Sequence, residues 1–155
     1  MEFENTIAYG TFTNVGGVLT LTANTWVDFA FVPVEVVKNN VNVPNGATAF
    51  EVQVQQTGMY FIEFNFIAEA GDSKTYNIRP YVNDTEYNTT GEGQQLKFFQ
   101  QPTGQKYEVS THGLFNLTKG DIVKWKILTP VLASVDFSTN TLRMNLFNLQ
   151  QIGLH

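Results

Sequence analysis

Thr57–Ala70 reads TGMYFIEFNFIAEA, and behind Gly58 its apolar residues recur at every second position. In an extended chain Tyr60, Ile62, Phe64 and Phe66 would point one way and Met59, Phe61, Glu63, Asn65 and Ile67 the other. That period of two describes a β-strand, since a helix would space its apolar residues three or four apart. One face is aromatic enough for a core. The other mixes Met59, Phe61 and Ile67 with Glu63 and Asn65, so the strand is expected to lie between its own core and a second surface.

The same alternation returns downstream. In Asp121–Leu128, Val123, Trp125 and Ile127 share one face and Lys124 and Lys126 the other, which reads as a strand with Trp125 in the core and both lysines outside. The last apolar segment, LRMNLFNLQQIG from Leu142, sets Met144 and Leu146 against Phe147 and Leu149, so both of its faces carry apolar groups. Turn signals such as Gly16-Gly17, Pro44-Asn45-Gly46, Asn83-Asp84 and Gly120-Asp121 punctuate segments rich in Val, Ile, Thr, Phe and Tyr. Strands are expected at 6–13, 17–23, 25–32, 34–37, 48–55, 58–69, 75–83, 94–100, 105–117, 121–129 and 141–152. This is the pattern of an all-β sandwich or barrel, with all 155 residues in one domain.

Composition narrows the function classes. With no cysteine, thiol catalysis, thiolate metal sites and disulfides are excluded. Nine Lys and Arg against 14 Asp and Glu give a net charge of -5, and no basic run tracks a phosphate backbone, so nucleic acid is not an expected partner. No apolar run reaches the length of a membrane-spanning helix, so no membrane partner is expected either. The opening MEFENTIAYG has no basic stretch followed by an apolar one, so a secretory signal is not expected and the chain is read as made in a cytosol.

Three blocks in order resemble one family. FEVQVQQTGMYFIEFNF (Phe50–Phe66) is similar to the central block of the globular heads of the complement q-subunit and of tumour-necrosis-factor-like proteins. There, alternating apolar residues precede a Gly-x-Tyr-x-aromatic-x-aromatic strand. NIRPYVND (Asn77–Asp84) resembles the next strand with its Asn-led turn, and LFNLTKGDIVKWKI (Leu114–Ile127) resembles the strand pair joined through Gly-Asp. The final strand lacks the family's usual Phe-x-Gly-Phe ending, and the region before Ala47 matches loosely. The resemblance implies an antiparallel two-sheet jelly roll, family-like over about 45–152, that assembles as a homotrimer with the outer face of its inner sheet against a neighbour. Met59, Phe61, Ile67, Phe147 and Leu149 are the residues expected at that interface. The alternative is that these residues lie under a loop of the same chain.

Candidate chemistry is sparse. Glu108, Ser110 and His112 alternate along one expected strand, but such neighbours stand about 7 Å apart and point in parallel, whereas a triad converges from separate elements. The reading is therefore a non-enzyme with no catalytic residue, no metal and no cofactor. Tyr87, Phe98 and Phe99, set among amides and glycines, are the expected ligand or partner contacts, and packing of the two phenylalanines into the core is the competing reading. Amide-rich surface, absent cysteines, absent export signal and absent collagen-like stalk together suit a bacteriophage virion component assembled in the host cytoplasm. Capsid decoration, head fibre and tail tip all fit, bound to other virion proteins or to a host surface glycan or protein. A bacterial surface or spore adhesin head, or a carbohydrate-binding jelly roll, is the alternative.

Overall fold

The computed structural model describes residues 8–15, 17–70, 76–87, 96–98, 106–130, 133–136 and 141–149. Within them the chain runs through β1 (Tyr9–Val15), β2 (Val18–Leu21), β3 (Val27–Asp28), β4 (Val34–Asn39), β5 (Val41–Asn42), β6 (Glu51–Val54) and β7 (Gly58–Ala70). It continues through β8 (Tyr76–Val82), β9 (Thr85–Glu86), β10 (Leu96–Phe98), β11 (Lys106–Leu117), β12 (Ile122–Leu128), β13 (Ala133–Asp136) and β14 (Thr141–Asn148).

These strands form two antiparallel sheets. In sheet A, β7 pairs along one edge with β11 and along the other with β14 and then β13; β14 passes to β1 and β4, and β13 to β2. Sheet B runs β10-β8-β12-β6-β5, with β3 also on β12 and β9 on β8. The period of two decides which side chains meet between the sheets. Tyr60, Ile62, Phe64 and Phe66 of β7 are buried, as are Met144 and Leu146 of β14 and Val123, Trp125 and Ile127 of β12. Phe64 stacks on Trp125 at 5.1 Å and 14°, and Phe115 meets the same indole edge-on at 5.7 Å. Burying each such side chain contributes about 1.5–3 kcal/mol, so this aromatic layer is the main tie between the sheets. The fold is the expected all-β jelly-roll sandwich.

Differences from the expected strands have local causes. The strand expected at 25–32 shrinks to Val27–Asp28, because the Phe29 carbonyl accepts from both Phe31 N and Phe50 N, each at 2.8 Å. That three-residue fold-back turns the Phe29 ring into the core against Phe64 at 5.1 Å. β13, β5 and β9 are not anticipated by the sequence; β5 and β9 have two residues each, too short for an alternation to show, and β13 (ASVD) offers only Ala133 and Val135 as apolar positions. Asn83 and Asp84 both sit at positive φ (52° and 64°), a type I′ geometry joining β8 to β9. Asn83 also donates to Asp121 Oδ1 and accepts from Ile122 N, both at 2.9 Å, which pins that turn to the Gly120-Asp121 turn. At Gly10 the constraint is space: a Cβ there would sit 2.4 Å from Cε1 of the buried Phe12 ring.

Candidate assembly face

The two sheets turn outward faces of opposite character to their surroundings. On sheet B the strand register puts Lys124 between Glu51 and Tyr81, and Lys126 between Asp28 and Arg79. The Lys124 ammonium is walled in by Asp84 at 2.8 Å, Asp28 at 3.2 Å and Glu51 at 3.8 Å, leaving its side chain 8% exposed. Lys126 reaches Asp84 at 3.5 Å and Asp28 at 3.6 Å and lies 4.8 Å over the Tyr81 ring. Arg79 pairs with Glu86 at 2.5 Å and covers Trp26 at 5.3 Å. Sheet B thus closes its own outer face with paired charges over aromatic rings.

That network sets the ionisation of its members. The hydrogen bond from Lys124 holds the Asp84 carboxyl below its ordinary value. Burial pulls Lys124 down, but the hydrogen bond to Asp84 and the charge of Asp28 outweigh it and raise its pKa. Burial pushes the Glu51 carboxyl up against the opposing charge of Lys124. Depressed Asp84 contributes stability present above its unfolded pKa and lost as pH falls through its folded one; raised Lys124 contributes stability that persists until the pH climbs through its own folded value. Replacing Lys124 by Met leaves Asp28, Glu51 and Asp84 facing one another with Lys126 alone to neutralise them. We expect Lys124→Met to cost about 2 kcal/mol at pH 7, less than a fully buried pair because Asp84 is largely exposed. The deficit should shrink on acidification, as the Glu51 carboxyl, which burial already raises, takes up its proton, and urea melts at pH 7 and pH 4 measure it. A deficit that grows on acidification contradicts the arrangement.

Sheet A is built differently. Residues directly opposite one another across its strands form three rows on the outer face: Leu114–Phe61–Phe147–Tyr9, then His112–Glu63–Asn145–Thr11–Val37, then Ser110–Asn65–Arg143–Thr13–Val34. The first row is apolar, with Phe61 against Phe147 at 5.7 Å and against the His112 ring at 5.6 Å. The second is a hydrogen-bonded chain in which Thr11 Oγ1 donates to Asn145 Oδ1 at 2.9 Å and Asn145 Nδ2 donates to Glu63 Oε1 at 3.2 Å. In the third, Ser110 Oγ donates to Asn65 Oδ1 at 2.7 Å. Along the β4 edge Val34, Val36 and Val37 are exposed, with a bulge opposite the Thr11/Phe12 step.

The residues expected from the sequence fall as follows. Met59, Phe61 and Ile67 alternate on this outer face of β7, Phe147 joins them from β14, and Leu149 lies one residue beyond that strand's end; all five are half-buried in the single chain. Glu108, Ser110 and His112 share the face but do not converge, since the Ser110 hydroxyl is spent on Asn65 and His112 packs on Phe61. Tyr87 stacks on Phe115 at 4.9 Å and 21°, and its hydroxyl accepts from Asn116 N at 2.8 Å, so both ends of that side chain have partners within the fold. The side chain of Phe98 and the whole of Phe99 lie outside the described residues. The sequence reading did not single out Arg143 and Asn145, although the alternation of LRMNLFN already sets both beside Phe147.

No protein-family model matches the chain, and no curated protein matches it in sequence. Solved structures do match in shape. Murine APRIL at pH 8.0 aligns with a TM-score of 0.58 at 15% identity, over 92% of this chain and 99% of that one. The Eiger TNF of S. frugiperda aligns at 0.57 and 12% identity, covering 94% of each chain, and PRD1 vertex protein P5 at 0.55 and 12% identity, covering 91% and 96%. At such identities the likeness speaks for architecture, and the two sheets described above share the jelly-roll fold of those structures.

Proposed function

We propose that the chain is a non-enzymatic homotrimeric structural or attachment protein of a bacteriophage virion, assembled through the outer face of sheet A. The observation that carries this reading is the contrast between the two outer faces. Sheet B seals itself with its own ion pairs, whereas sheet A presents an aromatic row flanked by a hydrogen-bonded polar row, the apolar centre and polar rim of a protein–protein interface. The jelly-roll heads that the sequence resembles assemble in this way, and one of the similar structures is named as a vertex protein. A particle component exposed to solvent suits a surface rich in amides and poor in reactive groups.

Light scattering on the purified chain at micromolar concentration should give about three times its 17.4 kDa mass. A monomer at that concentration overturns the reading.

A further inference from the structure

Glu108 on β11 and Arg143 on β14 are both exposed, and they flank one depression of about 200 Å³ lined also by Asn65, Phe66 and Ile67. Among the other described side chains of the sheets the charged groups are matched within the chain: Lys124, Lys126 and Arg79 by carboxylates, Glu35 by Lys38, and Glu63 by the Asn145 amide. Among the described residues Glu108 and Arg143 have no such partner. They form no ion pair with each other: β7 runs between their strands, and Glu108 stands opposite Ile67 whereas Arg143 stands opposite Asn65, so two strand spacings and a two-residue offset separate them.

This separation has meaning in a closed ring. A three-fold assembly uses heterologous contacts, in which one part of a copy's surface meets a different part of the next. β11 is an edge strand of sheet A and β14 lies inside the sheet, so the edge of one copy laid on the face of the next brings a carboxylate to a guanidinium. Without it, covering the face would bury the Arg143 charge unpaired, which is strongly unfavourable. We infer that Glu108 of each copy forms an intersubunit ion pair with Arg143 of the next, three times around the axis, and that this pair sets the register and direction of the ring. The inference rests on the trimer reading and names its polar recognition element.

Sedimentation equilibrium on the wild type, Glu108→Arg, Arg143→Glu and the double swap tests it. Each single reversal should weaken association by at least about tenfold, and the double swap should restore it to within about threefold of wild type. Should a reversal lower the unfolding midpoint, Glu108→Gln, Arg143→Gln and their combination supply the same cycle, in which paired residues give a double mutant no weaker than either single. A wild-type monomer defeats the trimer reading and this one with it. A wild-type trimer whose singles associate normally, or whose double swap fails to recover, overturns the ion pair alone.

Discussion

Phe64→Ala is expected to lower the stability of the folded chain by about 3–5 kcal/mol, the cost of emptying a fully buried aromatic site. Phe64 touches four aromatic partners: Trp125 at 5.1 Å, Phe29 at 5.1 Å, Phe66 at 5.6 Å and Phe50 at 5.7 Å. Phe29, Phe50 and Trp125 come from three other parts of the chain, so truncation removes the hub through which the loop before β4, the segment before β6, and β12 are tied to β7. The hole left behind is walled by rigid rings that cannot collapse into it. Urea titration at one fixed protein concentration measures the loss, since stability of an assembling chain depends on concentration. Wild-type stability in this variant would mean that β7 faces the other way, because a one-residue slip exchanges its two faces.

Phe61→Glu should leave the core intact and abolish assembly. Phe61 is one residue from Ile62 in sequence and on the opposite side of the sheet, packed against Phe147 and His112. A carboxylate there would stand beside Glu63 two residues on, and in a trimer three copies of it would be buried around one axis without cations to match. Light scattering should report a monomer, while the far-ultraviolet circular dichroism and the urea midpoint of the monomer stay near those of the parent chain diluted below its dissociation constant. A variant that remains trimeric places the interface elsewhere.

The fold was legible because two strands alternate cleanly. Tyr60–Phe66 and Val123–Ile127 announce which side is inward, and the sandwich follows from packing those sides together. Position 142 onward was legible only in part, since Met144 and Leu146 go inward while Phe147 stays on the outer face with Arg143 and Asn145, and apolarity alone does not separate an inner face from a contact face. The ionic cover of sheet B was illegible for a different reason. Asp28, Glu51, Asp84 and Lys124 lie on four separate segments, and only register brings them within 4 Å. Glu108 and Arg143 share that difficulty: 35 positions separate 108 from 143, and it takes β7 lying between them to place both at one depression.

Of the chain's two tryptophans, Trp125 is enclosed between the sheets against Phe64, while Trp26 lies under the Arg79 guanidinium on the outer face of sheet B. The pair makes a natural set of optical reporters with distinct territories. Trp125 emission answers to the state of the hydrophobic interior, and Trp26 emission to the state of the ionic cover. Neither indole belongs to the rows of sheet A, so intrinsic fluorescence follows folding and is blind to the meeting of copies. Any dilution series that changes mass while the emission spectrum stands still therefore separates subunit dissociation from unfolding in a single cuvette.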